Sequence, residues 1–195
     1  MPFSLLAACE YREEIRKSRF LALAAPITSA EQAQAFIETH SDRSASHNCW
    51  AWKCGNQYRF NDDGEPGGTA GRPILAAIEG QDCDQVVVLV IRWYGGIQLG
   101  TGGLARAYGG SAAKCLQGGE RVALVQRVQA RCHVPFADLA RVKARLGDWQ
   151  MVIEQETFDA DGALLQLALP TECFDEATRQ LADLGRGRIQ LELVP

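Results

Sequence analysis

A chain of 195 residues allows one large domain or two small ones, and its 47% hydrophobic content fits an ordinary globular core. The formal net charge is −4; residues 1–120 carry 11 basic and 13 acidic side chains and the remainder 9 and 11, so any nucleic-acid surface must be a local patch. The first residues lack the basic and long apolar regions of a signal peptide. No run approaches the roughly 18 apolar residues of a membrane span, and the seven scattered cysteines read as reduced thiols. A cytoplasmic protein without a membrane partner is the expectation.

In chain order, Arg16-Lys17-Ser18-Arg19 is a charged lead-in to a strand at Phe20–Ala24. Ser29 starts a helix, forming a capping box with Gln32, and Ala33, Phe36 and Ile37 give it an apolar stripe. Residues 41–46 form a loop. Asn48 to Lys53 reads as a strand, with Trp50 and Trp52 on one face and Cys49 and Ala51 on the other. Gly55-Asn56 turns the chain, and Tyr58-Arg59-Phe60 returns as a paired strand. A first glycine-dense loop follows, Asp62-Asp63-Gly64-Glu65-Pro66-Gly67-Gly68-Thr69-Ala70-Gly71, then a short helix with Pro73 in its first turn. Val86 to Ile91 has no alternation and predicts a strand buried on both faces. A second glycine-dense loop, Tyr94 to Gly103, precedes a helix from Leu104 to Leu116. Gly109 and Gly110 within it each cost about 1 kcal/mol against alanine, which predicts close approach of another backbone.

Of the 19 glycines, 15 lie between Gly55 and Gly119 and four lie beyond, which puts a domain boundary near residue 120. The second part, 121–195, reads as a long strand from Val122 to Val134, a helix marked by Phe136, Leu139, Val142 and Leu146, and a strand from Met151 to Phe158. A turn at Asp161-Gly162, a return strand from Ala163 to Leu169, a helix marked by Phe174, Ala177, Leu181 and Leu184, and a last strand around Leu191 complete it. The order β-α-β-β-α-β is that of the ferredoxin-like split unit, so the whole chain is expected to be α+β.

The stretch from Asp62 to Tyr108 carries a resemblance. Lys17-Ser18-Arg19-Phe20, His47-Asn48-Cys49-Trp50-Ala51-Trp52, Asp62-Asp63-Gly64-Glu65-Pro66 with Gly68-Thr69-Ala70-Gly71, and Arg92-Trp93-Tyr94-Gly95-Gly96 with Leu99-Gly100, Gly102-Gly103-Leu104 and Ala107-Tyr108 resemble the IMPACT family in its bacterial, YigZ-like branch. The loop between Cys54 and Phe60 is short for that family, and Asn61 stands where relatives often have serine. The resemblance implies a ribosomal protein S5 domain 2-like fold over 1–120 and a ferredoxin-like domain over 121–195, a pair similar to the last two domains of elongation factor G. It also implies an RNA- or ribosome-associated role in translation control, with a protein partner as a further option. Eukaryotic relatives restrain a translation-control kinase by competing for its ribosome-associated activator.

The second loop lacks the Gly-Lys-Ser/Thr ending of a P-loop and the Gly-x-Gly-x-x-Gly of a dinucleotide site. Free amides behind Gly100 remain suited to an RNA phosphate. Arg92 then either contacts that phosphate or pairs with Asp63 or Glu65, and both arrangements fit in one site. The expected phosphate surface comprises Arg19, Lys53, Arg72, Arg92, Tyr94, Gly95, Gly96, Gly100, Gly102 and Gly103. Asp62, Asp63, Gly64, Glu65, Gly68 and Thr69 form the loop motif, for which turn formation and helix capping outweigh metal binding. His47 and Cys49 suggest a nucleophile, against which stands the small buried cysteine between tryptophans. Arg127, Arg131 and His133 share a face of the long strand, either solvated or turned to RNA. No catalytic residue, metal or cofactor is expected. The rival readings are a metal-dependent enzyme acting on a nucleotide or phosphorylated metabolite, where the S5-like fold offers only analogy, and a protein-binding module, which predicts an exposed apolar patch.

Overall fold

Alternation and glycine placement resolve into a mixed α/β structure in a computed structural model that describes residues 2–194. Contacts divide the chain into units 1–124 and 125–195. The first unit runs β1 (Phe3–Leu5), β2 (Cys9–Ile15), β3 (Ser18–Pro26), α1 (Ala30–His40), β4 (His47–Cys54), β5 (Gln57–Asn61), α2 (Gly71–Gly80), β6 (Val86–Trp93), α3 (Gly100–Gly118) and β7 (Arg121–Ala123). Five strands form one antiparallel sheet in the order β2-β3-β6-β4-β5. The apolar run Val86–Ile91 is the centre of that sheet and is buried throughout, because helices cover both faces.

Strand alternation sorts the two cores. Phe20, Ala22, Cys49, Ala51, Val86, Val88 and Val90 face α2 and α3, where they pack with Ile74, Ile78, Leu104, Tyr108 and Leu116. Ala25, Trp52 and Val87 face α1 and its Ala33 and Ile37. Ser29 caps α1 by accepting from the Gln32 amide at 3.3 Å, while Gln32 Oε1 accepts from the Thr28 amide at 2.8 Å. A Cβ on Gly109 would stand 3.3 Å from the Pro73 carbonyl oxygen, so this glycine lets α2 and α3 pack closely. Gly110 has no such neighbour.

Two expected elements differ. The charged lead-in is the turn and first residues of a hairpin: strand β2, not expected before it, joins β3 through Arg16 and Lys17, which have φ of 47° and 66°, and Ser18 and Arg19 already belong to β3. These are left-handed values that usually draw Gly or Asn, so the turn carried no sequence signal. The long strand expected from Val122 to Val134 is two strands. β7 pairs with β1 in the first unit, and β8 (Arg127–Pro135) begins the second.

The second unit continues with α4 (Phe136–Arg145), β9 (Val152–Phe158), β10 (Gly162–Pro170), α5 (Phe174–Leu184) and the short β11 (Glu192–Leu193). Its sheet has the order β11-β8-β10-β9. Ala130, Cys132, Val134, Leu165 and Leu167 pack against Val142, Ala177 and Leu181. The other sheet face is mixed in charge. Arg131 meets Glu192 at 3.2 Å, His133 meets Asp159 at 2.9 Å, and Arg127 donates to the Gln150 and Ala168 carbonyls at 2.8 and 3.2 Å.

Candidate functional site

Arg92 ends the row Val86, Val88, Val90 on the face that meets α2 and α3. In register it stands opposite Phe20 on β3 and His47 on β4, so three strands bring these side chains together. Burial of a guanidinium requires partners, since an uncompensated interior charge is costly. Its Nη1 lies 2.6 Å from Glu65 Oε1, and its Nη2 donates to Ser18 Oγ at 3.3 Å. Both charged side chains are about 95% buried, with relative exposures of 5% and 4%. Tyr108 on α3 donates to the same Glu65 oxygen at 2.6 Å. Burial, with Cys49 and Glu65 beside it, pushes the Tyr108 phenol up, so it stays protonated and donates. Arg92 Nε is also buried and has no partner among the described residues. The Arg92 guanidinium lies 5.4 Å from the Tyr94 ring centroid and 5.7 Å from that of Phe20.

The first glycine loop is closed by its own aspartates. Asp62 accepts from the amides of Gly68, Ala70 and Gly71 at 2.8, 3.0 and 2.8 Å, which caps α2. Asp63 Oδ2 accepts from the Asn48 amide at 2.6 Å, and the Asp63 carbonyl lies 2.7 Å from His47 Nδ1. A carbonyl only accepts, so Nδ1 carries the proton. His47 Nε2 is 3.7 Å from Glu65 Oε1. Gly64 and Gly68 turn the loop at φ of 82° and 77°, and Thr69 Oγ1 donates to the Pro66 carbonyl at 2.6 Å. Burial opposes ionisation of Asp62, but three amides outweigh it and hold its pKa below the ordinary value of 3.8. Asp62→Ala is expected to cost about 2 kcal/mol, read as a lower urea midpoint at pH 7. A depressed folded pKa gives stability that is complete above the ordinary value and lost as pH falls through the folded one. The gap between parent and variant should therefore close below pH 3.8; an unchanged gap at pH 3 refutes the capping role.

The second loop is open. Its entry from β6 is fixed where the Tyr94 amide donates to Ser46 Oγ at 2.9 Å and the Gly95 amide to Ser18 Oγ at 3.2 Å. The amides of Gly96, Ile97, Gln98 and Leu99 meet no acceptor among the described residues. Among the described residues no side chain caps α3, whose first turn is Gly100-Thr101-Gly102-Gly103 rather than loop. A cleft of about 540 Å³ lies here, lined among others by His47, Glu65, Arg92, Tyr94, Leu99 and Gly100.

Of the expected phosphate-binding residues, Arg92, Tyr94 and Gly100 line this cleft. Gly95 and Gly96 shape the loop beside it, and Gly102 and Gly103 belong to the first turn of α3. Arg19 is the register partner of Trp93, one residue out of phase with Arg92, so it lies on the opposite sheet face, 5.1 Å over that indole. Lys53, at the far end of β4, pairs with Asp84 at 3.7 Å and donates to the Gly55 carbonyl. Arg72 is exposed in the first turn of α2 and does not line the cleft. His47 and Tyr108 were absent from the expected set. Alternation did place His47 on the face of Cys49, but nothing local shows that a buried carboxylate waits there. Burial drives the Cys49 thiol up to about 12, which disfavours a nucleophile. Among the described residues, no group of three His, Cys, Asp or Glu could hold a metal ion.

Comparison with known proteins places the chain within a family. The chain matches the Impact N-terminal domain over residues 16–116 and the Domain of unknown function (DUF1949) over 132–188. The chain belongs to the IMPACT family. An IMPACT family member in the pol 5′ region of Thermus thermophilus is 44% identical over 183 residues, covering 91% of this chain and 99% of that protein. The IMPACT family member YigZ of Escherichia coli is 38% identical over 188 residues, covering 92% and 91%. A crystal structure of a hypothetical protein shares 36% identity with a TM-score of 0.69, covering 99% of this chain and 97% of that one. The Arg92–Glu65–Tyr108 cluster of this IMPACT-family chain thus lies inside the matched N-terminal segment. No described helix is long and apolar enough to cross a membrane.

Proposed function

We propose that this IMPACT-family chain is a cytoplasmic, RNA- or ribosome-associated regulator of translation that holds a backbone phosphate in the cleft before α3. The observation that carries this reading is the run of loop amides from Gly96 to Leu99 that meet no acceptor among the described residues, beside the buried Arg92, whose Nε also lacks one there. Amides at a helix start and a guanidinium are complementary to one anionic group, and half-exposed Tyr94 offers a stacking face. Glu65 already neutralises Arg92, so the amides supply most of the attraction. The units are proposed to have S5 domain 2-like and ferredoxin-like folds, supported by the β-α-β-β-α-β order and the β11-β8-β10-β9 sheet.

Thr101→Asp tests the site. Thr101 lines the cleft in the first turn of α3, is exposed, and does not have a left-handed backbone. The new carboxylate at the helix start stabilises the fold by about 0.3–1 kcal/mol while repelling phosphate. Fluorescence anisotropy with a single-stranded RNA should show at least about tenfold weaker binding, equivalent to 1.4 kcal/mol, with no loss of Tm. The parent's binding should fall with salt at a log–log slope of about −0.7 per phosphate held. Equal affinity in variant and parent overturns the site.

One observation favours a second reading. His47, with Nδ1 occupied by Asp63, keeps Nε2 beside Glu65 within the cleft, an arrangement suited to proton transfer on a phosphorylated small molecule. A nucleotide and sugar-phosphate panel scored by thermal shift, with and without magnesium, separates the two readings.

A further inference from the structure

Cys9 opens β2, and Cys115 sits near the end of α3, which packs across that strand. Their Sγ atoms are 3.8 Å apart. Cys115 is 1% exposed, whereas Cys9 is partly open to solvent. Each thiol also lies against the other residue's backbone carbonyl, at 3.5 and 3.6 Å. The two side chains therefore already face each other, and a rotation that closes about 1.8 Å reaches bonding distance, near 2.05 Å. Four thiols elsewhere differ. Burial pushes Cys49, Cys54, Cys83 and Cys132 up, while the hydrogen bond from Cys115 holds Cys9 down at about 7. A partly exposed thiolate next to a buried second thiol is the arrangement of an attacking and a resolving cysteine.

We propose that Cys9 and Cys115 form a modification site, a dithiol that hydroperoxides convert into an intramolecular disulfide. The Cys9 thiolate attacks the peroxide: an S–O bond forms, the O–O bond breaks, and hydroxide (or alkoxide) leaves. The Cys115 sulfur then attacks the Cys9 sulfenic acid. An S–S bond forms, the S–OH bond breaks, and the hydroxyl leaves as water with the proton of Cys115. Two electrons pass from the thiols to the peroxide, and a dithiol reductant reverses the change. The product ties β2, an edge strand, to the helix whose other end borders the cleft. The chemistry itself does not depend on what that cleft binds.

The test uses the full native chain and hydrogen peroxide at low molar excess, followed by alkylation and peptide mapping by mass spectrometry. The expected result is loss of two hydrogen masses, recovered as one crosslinked peptide pair containing Cys9 and Cys115, and reversal by dithiothreitol. Cys115→Ala should leave Cys9 as a sulfenic acid that a cyclic dione labels. If that variant does not fold, the parent's map decides alone. A different cysteine pair oxidised first, or an unchanged mass with both thiols still alkylated, overturns the proposal.

Discussion

Glu65→Leu is expected to lower stability by about 3–5 kcal/mol, because it strands the Arg92 charge in a buried site. Arg92 and Glu65 are both about 95% buried and meet at 2.6 Å. Removing the carboxylate also takes the 2.6 Å acceptor from the Tyr108 hydroxyl, which is itself fully buried. Arg92→Met should cost a similar amount for the mirror reason, since Glu65 would keep only Tyr108 as a close donor. The double variant Arg92→Met/Glu65→Leu is the informative one. Two apolar side chains of similar volume have no charge to desolvate, so its deficit should shrink to about 1–3 kcal/mol, that of the Tyr108 hydroxyl left without that carboxylate. Urea unfolding of the four proteins gives the coupling energy, expected to exceed about 2 kcal/mol. Simple additivity would show that the pair contributes no mutual support. If the double variant is stable yet no longer binds RNA, the pair is kept for the cleft and not for the fold.

Gly95→Ala is expected to destabilise the first unit by about 3 kcal/mol. A Cβ at this position falls onto the Lys17 carbonyl of the β2–β3 turn, a backbone atom that cannot swing aside. Relief would have to displace the turn or the second loop, so the Gly96–Leu99 amides move and RNA affinity falls with stability. Gly67→Ala is the control. Its Cβ meets nothing within 4 Å and its backbone is not left-handed, so the change should stay within about 0.5 kcal/mol. Equal thermal midpoints for the two variants would mean that the turn yields easily and that the contact is incidental.

The central strand and the α1 cap were readable because they depend on local pattern: six apolar residues in a row, and Ser29 followed three positions later by Gln32. Arg92 pairing with Glu65 is one of two arrangements that fit in one site, and the 2.6 Å contact shows that this one forms. The β2–β3 hairpin was hidden because Arg16 and Lys17 take left-handed backbone values without the usual residues. The split of 122–134 was hidden because β1, more than a hundred residues away, claims its first part. The two glycine loops look alike in composition but differ in donors. Asp62 satisfies three amides of the first loop, whereas among the described residues no carboxylate accepts from the second, and a glycine count weighs both equally. Lys53 and Arg19 failed to join Arg92 for simple reasons: one lies at the wrong end of its strand and the other on the wrong face.

The strand order β2-β3-β6-β4-β5 places the last of the five strands to be synthesised in the middle of the sheet. The two hairpins made first, residues 9–26 and 47–61, share no edge and must wait for residues 86–93 to join them. A nascent chain halted before that point would carry two unjoined ribbons with open apolar flanks, a form prone to self-association. Assembly of this unit is therefore governed by long-range closure and should be slow relative to a helical bundle of equal length.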